Sequence, residues 1–297
     1  MGKYRILSLD GGGSWSLIQV KCLRRLFSDT FGTNDPTGHE VLNYFNLVTA
    51  NSGGSLVAAA MAENYRLSEI EKIFHSEEIR KSIFSRLTIW ERSLLNSLSR
   101  LVNIGPKYAT SRKITALQKI LPKVSQVHLH HLPAYINTES ATHFVLVAYD
   151  YYRNRAELFR SNQQSRALTS VIEDRVFPEG KSISRPDEIT ILQAIHASST
   201  APVNFFNTPA SFKIGDIDRY FWDGAITGNN NPVLIGITEA WTNGHTASDI
   251  QILSIGSGGT LFPATGVYPF RYNELKAEKR SPGLIKDVEK MAMSIVN

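Results

Sequence analysis

The chain has 297 residues, of which 42% are hydrophobic and 20% charged, with a formal net charge of +5. That length supports a full buried core, and the composition excludes disordered, collagen-like and coiled-coil classes. A single cysteine, Cys22, excludes an intrachain disulfide and points to a reducing compartment, so a cytoplasmic location is expected.

The N-terminus, M-G-K-Y-R-I-L-S-L-D, has no basic region followed by a long apolar run, so secretion by a signal peptide is not expected. Ile6 stands where a myristoylation signal after Gly2 needs Ser or Thr. No apolar run approaches the roughly 20 residues that span a bilayer, which leaves peripheral membrane contact.

Tyr4 to Leu9 reads as a buried strand, Asp10 to Gly13 as a tight glycine loop, and Ser14 to Ser28 as a helix. Trp15, Ile18, Cys22 and Leu26 recur at helical spacing, which predicts that this stripe faces the core with Cys22 as a small buried side chain. Phe45 to Ala50 is a second strand, and Ser55 to Ala62 opens a second helix whose small side chains suit close packing. Two β-α units predict a parallel sheet.

From Leu67 to Leu121 helical periodicity dominates, with Ile79, Ile83, Leu87, Trp90, Leu94, Leu98 and Leu101 at spacings of three or four. Between Ile79 and Lys113 there are eight basic residues (Arg80, Lys81, Arg86, Arg92, Arg100, Lys107, Arg112, Lys113) against one acidic, Glu91. That bias predicts a basic face able to meet an anionic membrane. Beyond it, Phe144 to Tyr149, Tyr220 to Trp222 and Ile250 to Ile255 read as strands, and Leu192 to Ala197 as a helix. Pro178 to Pro186, Gly228 to Pro232 and Gly256 to Gly266 are loops by composition. Ser281 to Asn297 has helical character and stops without a cap, as a truncated C-terminus would.

Residues 48 to 57 read V-T-A-N-S-G-G-S-L-V. A serine hydroxyl is a weak nucleophile until it projects from the backbone beside a base, and a strained strand-to-helix turn provides that projection. Ala50-Asn51-Ser52-Gly53-Gly54 approximates the G-x-S-x-G elbow, with Ala50 in place of the first glycine. The alternative is a glycine-rich turn with a helix-capping Ser52. Gly11, Gly12 and Gly13 close the first strand and open the first helix, where backbone N–H groups and the helix terminus favour an oxyanion. Gly11-x-Gly13-x-x-Ser16 also approaches a dinucleotide fingerprint, but lacks its third glycine. Asp223 follows Tyr220, Phe221 and Trp222, where partial burial raises proton affinity; read alone, Asp223-Gly224 is also a common turn.

As a set and in this order, these segments resemble the patatin-like phospholipase family. Asp10-Gly11-Gly12-Gly13 resembles the family's oxyanion loop, Ser52 its nucleophile, and Asp223-Gly224-Ala225 its base motif. Residues 197–202 (A-S-S-T-A-P), 230–232 (N-N-P) and 252–256 (I-L-S-I-G) are similar to further family segments. The likeness covers about residues 4–260. It implies a three-layer α/β fold with a mainly parallel central sheet and helices on both faces, as a single domain over 1–297 with a helical insertion near 65–125. It further implies hydrolysis of lipid acyl esters, as in a phospholipase A or lysophospholipase, through a Ser52–Asp223 dyad with Gly11 to Gly13 as oxyanion hole, and with no metal, cofactor or nucleic-acid partner. Trp15 replaces the family's usual Arg and Ser16 its usual Gly.

Three other readings stand beside this one. A relative weakened by those changes would bind lipid without cutting it, a nucleotide-binding protein would use the glycine loop for phosphate, and an α/β-hydrolase triad would recruit His245. His128, His130 and His131 read as strand residues on opposite faces with no acidic or cysteine partners, so no metal site is expected; His196 reads as a satisfied polar residue within a helix.

Overall fold

In a computed structural model, which describes residues 3–88, 91, 106–137, 141–162, 164, 189–203, 205–214 and 217–258, the core is a seven-stranded sheet. Its strands are Tyr4–Leu9 (β1), Leu47–Asn51 (β2), His143–Asp150 (β3), Arg155–Arg160 (β4), Ala210–Ile214 (β5), Ile217–Asp223 (β6) and Ile250–Ile255 (β7). The order is β5-β6-β3-β2-β1-β7, with β4 paired to β3. The parallel arrangement expected from β-α alternation holds across β3, β2, β1 and β7 and gives way to antiparallel pairing at β4, β5 and β6.

The helices among the described residues are Leu17–Phe31 (α1), Gly38–Leu42 (α2), Ser52–Ala62 (α3), Leu67–His75 (α4), Glu77–Ile83 (α5), Thr110–Ile120 (α6), Leu132–Ile136 (α7), Ile191–Ser198 (α8) and Val233–Thr242 (α9). Strand alternation divides the apolar side chains between two faces. Ile6, Leu47 and Val145 pack with Ala240 of α9 on one side. Leu7, Val48 and Leu146 belong to the larger core that includes Val20 and Leu23 of α1 and Val57 and Met61 of α3. Gly236 lets α9 lie close on the sheet, since a Cβ there would stand 3.0 Å from Ile6 and 3.1 Å from Thr49.

Helix α1 turns a different face inward from the one its spacing suggests. Gln19, Val20, Leu23 and Phe27 are buried, whereas Cys22 is exposed and Trp15 is 60% exposed. Two apolar stripes compete on this helix, and the polar Gln19 decides between them: its amide donates to the carbonyls of Asp10 (2.8 Å) and Ile255 (3.1 Å), tying α1 to the ends of β1 and β7. The histidine run also departs from expectation. Leu129–His131 is a 3-10 turn leading into α7, not a strand, and the His130 and His131 ring centroids lie 3.6 Å apart with the planes tilted by 42°.

Within the expected helical insertion, α4, α5 and α6 pack together; Trp90, Leu94, Leu98 and Leu101 lie outside the described residues, as do the expected loop 178–186 and terminal helix 281–297. Among the described residues no helix is long and apolar enough to cross a membrane.

Candidate active site

The site forms where two strands end against the same edge of a third. β4 occupies one edge of β3 from Val145 to Asp150. Along the opposite edge β2 pairs with β3 up to Asn51↔Val147, and β6 takes over from the next position, Asp223↔Ala148. Because β2 runs parallel to β3 and β6 antiparallel, their C-terminal ends converge. Ser52 and Asp223 are thereby brought together from distant parts of the chain.

Ser52 holds φ at 49°, a left-handed conformation uncommon for a non-glycine residue, and α3 begins at once. The two glycines that follow make this turn possible. A Cβ on Gly53 would stand 2.3 Å from Ser16 Oγ and 2.5 Å from the Gly13 carbonyl, and one on Gly54 would stand 2.4 Å from the Leu9 carbonyl. The Ser52 N–H donates to Ser198 Oγ at 3.1 Å, and the Ser52 hydroxyl is close enough to Asp223 to favour its ionised form.

Asp223 is 2% exposed. Burial pushes its proton affinity above the ordinary carboxylate value, and the Ser52 hydroxyl, the Ala225 N–H, the nearby charge of Lys113 and the Asn51 amide all oppose that shift. The Ala225 N–H lies 2.9 Å away and Asn51 Nδ2 3.4 Å. The arrangement can accept a proton from Ser52 while holding the carboxyl in a fixed orientation.

The glycine loop lies against this pair: a Cβ on Gly11 would meet Asn230 Oδ1 at 2.1 Å and Ser52 Cβ at 3.1 Å. The Gly11 N–H donates to the Asn230 carbonyl at 2.8 Å. Gly13 has φ of 54° and open space beside it. Asp10, half-buried at the head of the loop, is pushed up to about 6 by burial, with an Asn231 hydrogen bond opposing.

Sequence reading missed Asn51, Ser198, Asn230 and Lys113 as parts of this constellation. The first three sit within segments already singled out for their family likeness; Lys113 carried no such signal and was read as a surface charge. The structure buries it, with 1% exposure.

The rival assignments separate by position. His245 stacks on Tyr4 with ring centroids 3.9 Å apart, at the N-terminal end of β1, whereas Ser52 follows the C-terminal end of β2. His196 is buried with its Nδ1 unpartnered, so it is not satisfied as expected, and burial together with Lys113 holds its pKa well below the usual value. Among the described residues no group of three or more His, Cys, Asp or Glu side chains is gathered as metal ligands would be.

A narrow apolar cavity opens beside the glycine loop. It begins at Gly13 and Ser14, passes Leu56 and Ala60 of α3, and is walled by Phe74, Ile83 and Leu117 among other apolar residues. Leu56 and Ala60, which line the cavity, lie four and eight residues after Ser52 on the same side of α3.

The model of the patatin-like phospholipase family matches residues 7–237. The chain is similar to a cGAMP-activated phospholipase of Vibrio cholerae serotype O1, 25% identical over 268 residues, and to one of Escherichia coli strain TW11681, 24% identical over 262. Each alignment covers 86% of this chain, and it spans only 64% and 63% of those proteins. Among solved structures, VipD from Legionella pneumophila is similar over 84% of this chain and 49% of its own, with 14% identity and a TM-score of 0.40. With the family model running through the glycine loop, the serine turn and the aspartate strand, the chain belongs to the patatin-like phospholipase family.

Proposed function

We propose that the protein hydrolyses fatty-acyl esters of lipids through Ser52 and Asp223. Ser52 Oγ attacks the ester carbonyl carbon as its proton passes to the Asp223 carboxylate. The N–H groups of Gly12 and Gly13 receive the oxyanion. Collapse of the tetrahedral intermediate breaks the ester C–O bond, and the leaving alcohol takes the proton from Asp223, leaving an acyl-serine. Water then attacks that acyl group with Asp223 again accepting the proton; release of the fatty acid returns the proton to Ser52. The apolar cavity along α3 accommodates the acyl chain, with Ser52 at its head.

The observation that carries this reading is a left-handed Ser52 set beside a buried Asp223 where β2 and β6 meet on the edge of β3. Ser52→Ala and Asp223→Asn should each lower ester hydrolysis by about 10³-fold or more, and the double variant should be little worse than either, because the two groups act as one unit. Labelling by a serine-reactive phosphonate should be lost in Ser52→Ala. His245→Ala should retain activity; loss in that variant with retention in Asp223→Asn would replace the pair with a triad. An unlabelled wild-type protein that still bound lipid would instead be a silent relative.

Because both curated relatives are named for activation by cGAMP, the assay is run with and without that dinucleotide; stimulation would extend the same regulation to this chain. Exposed Arg80, Arg86 and Lys107 would bring the site to an anionic membrane surface, where its substrate resides.

A further inference from the structure

We propose that Lys113 is a positioning residue for the Ser52–Asp223 pair, pinning the turn that holds both of their chain segments and setting its amine on the Asp223 side of that turn. This rests on the catalytic assignment of that pair.

Three contacts define the lysine's place. Its Nζ donates to the His196 carbonyl at 3.2 Å and to Thr200 Oγ1 at 2.9 Å, and lies 4.7 Å from the centre of the Phe206 ring. The His196 carbonyl belongs to the last turn of α8, whose dipole favours a cation there. Among the described residues Lys113 forms no ion pair, so this ammonium is held by carbonyl, hydroxyl and ring.

The pinned turn reaches both members of the pair. Ser198 Oγ receives the Ser52 N–H at 3.1 Å and contacts Asn51 Oδ1 at 3.5 Å. The Thr200 carbonyl receives the Asp223 N–H at 2.9 Å. A shift of residues 196–200 would therefore move the nucleophile and the base together.

The charge acts on the same pair. Burial pushes the Lys113 amine well below its usual value while Asp223 holds it up, and Lys113 in turn opposes the upward push that burial gives Asp223. Other charged groups around them are accounted for. His196 of α8 is buried with its pKa far below the usual value; Asp150 of β3 pairs with Arg219 of β6; Glu77, Glu78, Arg80 and Lys81 of α5, which packs on α6, are exposed; and Asp10 stands half-buried at the glycine loop. Lys113 is thus the basic group placed one residue's contact from Asp223, through Thr200, which bonds both.

The test compares Lys113→Met and Lys113→Gln with the wild-type protein. Removing one member of a buried charge pair costs stability, so folding of both variants is checked by urea denaturation; Gln keeps a donor and supplies the milder uncharged variant. Two quantities are read: the Asp223 carboxyl titration by 13C NMR, which needs no turnover, and the acid limb of kcat/KM on a soluble short-chain ester. Removing the cation raises the Asp223 proton affinity, so both should move to higher pH, with kcat below the wild-type limb reduced about tenfold or more and KM little changed. Thr200→Val keeps the charge and removes one acceptor; it should lower kcat without moving the limb. An Asp223 titration unmoved in both Lys113 variants overturns the proposal, even if activity falls. If the titration moves but wild-type protein hydrolyses no ester, the catalytic reading fails while the electrostatic link stands.

Discussion

At the scale of single residues, the site depends on side chains that are absent as much as on those present. Gly53 occupies a position where the backbone of the glycine loop and Ser16 leave no room for a methyl group. Gly53→Ala is expected to destabilise the protein by about 1–3 kcal/mol through overpacking, read from urea denaturation, and to depress hydrolysis because relief of the clash displaces Ser52 or the loop. Full activity at unchanged stability would mean that the turn tolerates a wider strand-helix gap than its geometry indicates. The Trp15 and Ser16 departures lie on either side of this contact: Trp15 points to solvent, whereas Ser16 is buried against the elbow.

At the scale of elements, α3 carries both Ser52 and two of the side chains that line the cavity. Most of its residues are fully buried, but Ser52 and Leu56 are partly exposed, and Leu56 lines the cavity. Ala60 lies two turns beyond the serine on the same side and is 4% exposed. Ala60→Phe should fill that part of the cavity. On a series of p-nitrophenyl esters, turnover of long acyl chains is expected to fall about tenfold or more relative to butyrate, the scale of losing one or two methylene-sized contacts. An unchanged chain-length profile would remove the cavity from the account of substrate binding and leave the serine chemistry untouched.

At the scale of the whole molecule, the basic bias between Ile79 and Lys113 is smaller on the surface than in the sequence. Lys113 is internal, Arg112 pairs with Glu91, and Lys81 pairs with Glu77. Arg92 and Arg100 lie outside the described residues. Arg80, Arg86 and Lys107 remain as exposed charges near the cavity helices. Arg86→Glu with Lys107→Glu should weaken binding to anionic vesicles, since each basic residue near such a surface contributes about 1 kcal/mol, and high salt should imitate the change. Hydrolysis of a soluble ester should be unaffected. Unaltered vesicle binding would place the membrane contact elsewhere.

The local features were legible in the sequence because each obeys a short-range rule. Tyr4–Leu9 shows its strand as an apolar run closed by glycines, the serine elbow shows as small residues flanking Ser52, and Asp223-Gly224-Ala225 stands out after three aromatics. Long-range packing decided the rest. Periodicity favoured one stripe of α1, and the hydrogen bonds of Gln19 selected another. Three consecutive glycines looked equivalent until the Asn230 carbonyl engaged the first of their N–H groups. Lys113 looked like one more surface charge, but the fold carries it inside to the turn that joins Ser52 to Asp223. Residue spacing encodes the direction of a side chain relative to its own helix or strand; which neighbour it meets depends on strands brought together from distant parts of the chain. That is why Ser52 and Asp223 each stood out only as candidates along the chain, whereas their meeting on the edge of β3 is a property of the folded sheet.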